Sequence, residues 1–195
     1  MNSILNQNLF FIREHVGMFK AANNYDIYNP ATNELMLNCR EENLGFLTKI
    51  LRFTDYKRMT AFDIYISTLQ GDQVLRIKRG VTFFRSEVEV FDEKEQLVGR
   101  FKQKLLSLGG KFQVLDPADN LLCMLQGKWS GWDFKFTKDN VEFARVNKKW
   151  NGLGKELFTT ADNYMLEIDA RVPENNPMRL LIVAAVMCID MVLKE

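Results

Sequence analysis

The chain has 195 residues, with 26 Lys and Arg against 25 Asp and Glu and a formal charge of +1. So even a balance gives no global field to gather nucleic acid, and any attraction to an anionic surface has to come from a local patch. An apolar fraction of 47% with 15 Phe belongs to a packed globular protein, and one domain spanning residues 1–195 is expected. Cys39, Cys123 and Cys188 are odd in number, far apart and set in apolar contexts; without disulfide or metal-ligand spacing, they fit a reducing compartment.

The chain opens with MNSILNQNLFFIREHVG, which lacks the basic start and the apolar stretch of about 7–15 residues that mark a signal peptide. Cytoplasmic synthesis is expected. Residues 9–13 (LFFIR) read as a strand, and His15 is placed inside this N-terminal strand. One unit then recurs: an alternating segment, a polar turn and a second alternating segment. It appears at residues 25–39, 62–79, 88–104, 112–125 and 133–146. The turns carry Asn-Pro, Gly-Asp, Asp-Glu, Asp-Pro and Lys-Asp-Asn, and alternation of period 2 with aromatic and β-branched residues is a strand signal. Residues 164–169 (YMLEID) add one more strand, for about twelve in all. Residues 42–56 fit either a short helix or a further strand.

After Pro177 the sequence turns apolar on every side. Leu180, Leu181, Ile182, Val183, Ala184, Ala185, Val186, Met187, Cys188 and Ile189 include no charged side chain, and Asp190 follows. A helix without a polar face belongs inside protein or inside lipid. Counted through Asp190 it has about 14 residues, short of the roughly 20 that cross a bilayer core. The buried reading is therefore preferred. A barrel of about eight strands fills itself with side chains, and a larger one leaves a lumen. The predicted fold is a closed, mainly β, antiparallel barrel of about twelve strands around a buried C-terminal helix. Outward charges such as Arg76/Lys78 and Lys102/Lys104 exclude a membrane barrel, whose outer band must be apolar.

Catalytic signals are missing. His15 is the single histidine, and neither G-x-S-x-G, G-x-G-x-x-G nor a P-loop occurs; Gly109-Gly110 reads as a turn. No enzyme activity and no cofactor are expected. The candidate lipid-binding cations are Arg76, Lys78, Arg79 and Arg85 around Gly80, and Lys148 and Lys149 before Trp150. Each is weighed against an ordinary solvated strand face. Lys49, Arg52, Lys57 and Arg58 form a further group in the unplaced segment, and Trp129, Trp132 and Trp150 lie in or near turns.

The order of residues near the C-terminus, KKWNGLGKELFTTADNYM at 148–165 followed by LLIVAAVMCIDMVLKE, resembles the phospholipid scramblase family of the tubby-like and LURP-one-related group. The YDIYNPATNEL unit is similar to the start of the same domain, so the resemblance covers residues 25–195. It implies a twelve-stranded barrel around a hydrophobic C-terminal helix. It also implies interaction with anionic phospholipid or phosphoinositide headgroups, Ca²⁺-stimulated movement of lipid between leaflets, and a peripheral place on the inner face of the plasma membrane. The alternative is a soluble tubby-like module that binds a headgroup or a protein partner without transport. The family's calcium loop falls on residues 160–171, where Asp162 and Asn163 are the ligand-like residues. Thr160, Met165 and Arg171 stand where a carboxylate, a glycine and a bidentate acid are wanted. The proline-rich N-terminal extension and the palmitoylated cysteine run of animal members have no counterpart here, which implies an unlipidated version.

Overall fold

The computed structural model describes residues 1–15, 22–42, 59–81, 86–104, 110–148 and 163–193. Its strands are β1 (Leu9–Glu14), β2 (Tyr25–Tyr28), β3 (Leu35–Glu41), β4 (Phe62–Thr68), β5 (Gln73–Arg79) and β6 (Glu87–Asp92), followed by β7 (Leu97–Gln103), β8 (Gly110–Leu115), β9 (Leu121–Lys128), β10 (Asp133–Lys138), β11 (Val141–Asn147) and β12 (Asn163–Ile168). Each strand pairs antiparallel with its neighbours in the chain, and β1 pairs with β12 to close the barrel. An α-helix, α1 (Met178–Leu193), follows the last strand.

Alternation separates the two faces of the wall. In β4, Phe62, Ile64 and Ile66 are buried while Asp63, Tyr65 and Ser67 face out. The tight connections follow β2, β4, β6, β8 and β10, all at the end where α1 begins. Asp92 accepts the amides of Lys94 and Gln96, and Asp116 accepts those of Ala118 and Asn120; these side chains hold the turns. Asn33, Glu95, Asp119, Asp139 and Asn140 adopt positive φ in these turns, where polar residues tolerate the left-handed region best.

The lumen is filled by α1. Every residue from Arg179 to Val192 is buried, and Ala184 and Ala185 have no exposure at all. The closest strands are β5, β6, β7, β8 and β12. At Gly99 on β7 a Cβ would lie 2.3 Å from the Leu115 carbonyl oxygen and 3.2 Å from Leu181 of the helix, so only glycine lets wall and plug meet there. Among the described residues no helix is long and apolar enough to cross a membrane.

Two charged side chains go inside with the helix. The Arg179 guanidinium donates to the carbonyls of Leu5, Gln7, Val172 and Pro173 and to Asn8 Oδ1, which occupies its whole fork of donors. Burial lowers its pKa from the ordinary value. Near the other end, Asp190 accepts from the Tyr25 and Tyr164 hydroxyls, each at 2.5 Å, pinning α1 to β2 and β12. Burial first, and then the Asp190 charge, raise the Tyr25 pKa well above the usual range. At the helix start, the Asn176 side chain accepts the Met178 amide and Pro177 precedes the first turn, both ordinary helix-start chemistry.

The strand and helix readings agree with this architecture, with local corrections. His15 lies one residue beyond β1 instead of within it, and Gly110 begins β8 instead of forming a turn. A short 3-10 turn at Ser3–Asn6 was not anticipated; it buries Leu5 against the core. Of the unplaced segment only Glu42 is described, so Lys49, Arg52, Lys57 and Arg58 lie outside the described residues.

Candidate functional site

The expected patch around Gly80 is divided by the wall. Arg76 and Lys78 face outward, as alternation requires, but Arg79 shares the inward parity of Leu75 and Ile77 and is 2% exposed. Its guanidinium donates to the Thr60 carbonyl and to Ser86 Oγ, and lies 4.7 Å from the Phe62 ring centre. Arg79 is therefore removed from the outward face. Arg76 makes a fork on Asp63 at 2.7 and 2.6 Å and reaches Glu95 at 2.8 Å. The Asp63 bonds come first among the causes that raise the Arg76 pKa above its usual value. Lys78 is exposed, but its register partners are Asp63 on β4 and Glu89 on β6. Carboxylates thus compensate this face. Arg85 lies outside the described residues.

Lys148 follows β11, with its ammonium 4.2 Å from the Trp132 ring centre and 5.4 Å from that of Tyr164. Trp132 and Tyr164 are themselves in contact, at 4.9 Å between centres, so a cation and two aromatic rings gather beside Asp190. Lys149, Trp150, Thr160 and Asp162 lie outside the described residues. The rest of the calcium segment does not fit an ion. Asn163, Tyr164, Met165 and Leu166 are buried in β12, and the Tyr164 hydroxyl is given to Asp190. Asp169 binds Arg171 through both carboxylate oxygens, at 2.8 and 2.7 Å, and those bonds hold its pKa down at about 2. Among the described residues no group of three or more His, Cys, Asp or Glu could hold a metal.

Another set of cations was not singled out from the sequence. Lys104 follows β7 and its amide donates to the Lys111 carbonyl at 2.9 Å, so these two lysines stand opposite each other in register. Lys111 pairs with Gln126 on β9, and Lys128 lies two residues farther on the same outward face. Neighbouring cations are neutralised: Arg100 meets Glu87, Glu89 and Asp119, and Lys102 meets Glu87 and Asp119. Lys128 stands opposite Asp133 on β10, which also takes the Arg145 fork, while Lys111 faces Lys104 and Gln126. Sequence alone could not show the Lys104–Lys111 opposition, because it depends on register across residues 105–109.

Elsewhere, His15 Nε2 lies 2.6 Å from Asp26 Oδ2, and Arg40 donates to the other oxygen at 2.7 Å. Among the described residues the imidazole bonds only this carboxylate, an ion-pair arrangement with no nucleophile bonded to it. A groove of about 480 Å³ opens beside the helix start, lined by Leu97, Val98, Leu122 and Met178 together with Asp92 and Asp116.

The Scramblase family model matches residues 2–195. No curated protein matches the chain. An X-ray structure of a protein from Arabidopsis thaliana is similar in fold, with a TM-score of 0.54 and 12% identity over 93% of this chain and 92% of that one. The twelve-stranded barrel around one C-terminal helix is thus tubby-like, and the chain belongs to the Scramblase family.

Proposed function

We propose that this protein acts on phospholipids at the headgroup surface of a bilayer, on the cytoplasmic side of the plasma membrane, while its helix stays inside the barrel. The observation that carries the reading is the family match over nearly the whole chain, residues 2–195. The enclosure of α1 supports the surface mode. Residues 180–189 are already in an apolar environment, so moving them into lipid would gain little and would separate Asp190 from its two tyrosines. With a net charge of +1, attraction comes from local cations and yields weak, reversible attachment to anionic lipid, including phosphoinositides. Lipid movement between leaflets belongs to this proposal as a second step, which requires the barrel to open or lipid to pass along its outside.

Flotation with phosphatidylcholine vesicles, with and without phosphatidylserine or a phosphoinositide, tests the binding step at low and high salt and with and without Ca²⁺. Binding to the anionic vesicles at low salt, reversed by high salt, is expected. Failure to bind either anionic composition at low salt refutes the reading and leaves a protein-binding module as the alternative. Dithionite quenching of a fluorescent phospholipid in the same vesicles reports leaflet exchange separately.

A further inference from the structure

We infer that the groove beside the start of α1 is a docking site for a peptide segment that carries Lys or Arg among large apolar side chains. Its volume is about 480 Å³, inside the roughly 300–1,000 Å³ of ordinary ligand sites. It lies where the β6–β7 and β8–β9 hairpins meet the loop before the helix. Val98, Leu122 and Met178 line it and are only partly buried, so apolar surface there stays in water until an occupant covers it. This inference stands apart from the phospholipid reading, and neither depends on the other.

Charge selects the occupant. Asp92, Glu93 and Asp116 line the groove and no Lys or Arg side chain does. Glu93 is matched by the Met1 ammonium at 3.0 Å. Asp92 and Asp116 accept only backbone amides and the Asn120 side-chain amide, and meet no cation among the described residues. Of the cations at this end of the barrel, Arg76, Arg100, Lys102 and Arg171 are held by Glu95, Asp119 and Asp169, and Arg179 by carbonyls. Lys94 and Lys138 are exposed and outside the lining. The first helical amides, of Met178, Arg179 and Leu180, are already taken by oxygens of Asn176 and Pro177, so they offer no seat for an anion. A phospholipid or a free phosphate would set its charge beside two carboxylates with nothing to offset it, whereas a Lys or Arg is attracted. Two amide groups favour a peptide over a bare acyl chain. Among the described residues the Gln96 side chain and Asn176 Nδ2 make no hydrogen bond, and both residues line the groove, where an extended backbone supplies carbonyls and amides to them.

The test selects random phage-displayed peptides on the full chain, then titrates the enriched peptides, made synthetically, by fluorescence anisotropy at low salt. Enriched sequences should place Lys or Arg next to Leu, Met or Phe. Asp92→Asn/Asp116→Asn keeps an oxygen for the turn amides and should weaken those peptides about ten-fold, since each exposed ion pair is worth up to about five-fold. Leu122→Arg sets a cation into the groove and should abolish their binding. Circular dichroism melts check the folding of both variants. The aspartate pair decides alone if Leu122→Arg does not fold, and the single Asp116→Asn serves if the pair does not. No enrichment, enrichment of acidic or uncharged sequences, or parental affinity in Asp92→Asn/Asp116→Asn overturns the site. Capture of the fluorescent fatty acid cis-parinaric acid in place of any peptide would give the groove to an acyl chain and overturn it too. Flotation of Asp92→Asn/Asp116→Asn on phosphatidylserine-containing vesicles should match the parent, so that peptide binding and lipid binding are read apart.

Discussion

Single buried charges set the tolerance of this fold. Arg179 is 2% exposed and serves four backbone carbonyls and one side-chain oxygen, so it acts as a strut between the N-terminal segment and the loop before α1. Arg179→Met keeps the bulk and strands those acceptors in the interior. The expected cost is about 3–5 kcal/mol, a drop of about 10 °C in melting temperature for a chain this size. A drop below about 2 °C would show that the strut is dispensable. Asp26 gives a pH signature. Burial is the largest influence and opposes its ionisation, but hydrogen bonds from His15 and Arg40 outweigh it and hold the carboxyl below its ordinary 3.8. A lowered folded-state pKa stabilises above the unfolded value, and that gain disappears as pH falls through the folded value. The stability gap between parent and Asp26→Asn should therefore be full near neutrality and shrink below about pH 4. Parallel melting curves at all pH values would contradict this.

At the scale of elements, plug and wall are built for each other. Ala185 has no exposure, and an arginine there has no room and no partner. Ala185→Arg should abolish the cooperative melt and leave insoluble protein, because an unpaired charge in a core costs more than a domain's margin. A soluble, cooperatively melting variant would refute the enclosed helix. In β12, the burial of Asn163 and Met165 and the Asp169–Arg171 pair predict that millimolar Ca²⁺ leaves the melting temperature unchanged. Binding at 100 times its dissociation constant would add about 2.7 kcal/mol, an easily read shift. These elements were legible because alternation in segments such as β4, and an uninterrupted apolar run at 180–189, each admit one burial pattern. The inward parity of Arg79 was legible too, since it continues Leu75 and Ile77, but the nearby glycine suggested a turn instead. The Arg179 strut was not, because its partners are mostly carbonyls, which no side-chain pattern reports. Nor was the Lys104–Lys111 opposition, which exists only once β7 and β8 are in register.

For the whole molecule, the central claim is that a closed barrel keeps its apolar helix while it sits on a membrane. The three thiols offer a direct reading, since Cys39 on β3, Cys123 on β9 and Cys188 on α1 are free and buried. Burial raises the pKa of each, Cys123 to about 12, so none is an effective nucleophile until the barrel opens. Departure of α1 into lipid would keep Cys188 in apolar surroundings but would empty the lumen and uncover Cys39 and Cys123 in its wall. The decisive measurement is alkylation of the native protein by iodoacetamide, mapped by peptide mass spectrometry, alone and bound to phosphatidylserine-containing vesicles. Cys39 and Cys123 should stay as protected on the vesicles as in solution and label only under denaturing conditions. Rapid, vesicle-dependent labelling of Cys39 and Cys123 would show that the helix leaves the barrel for the bilayer and would contradict the account.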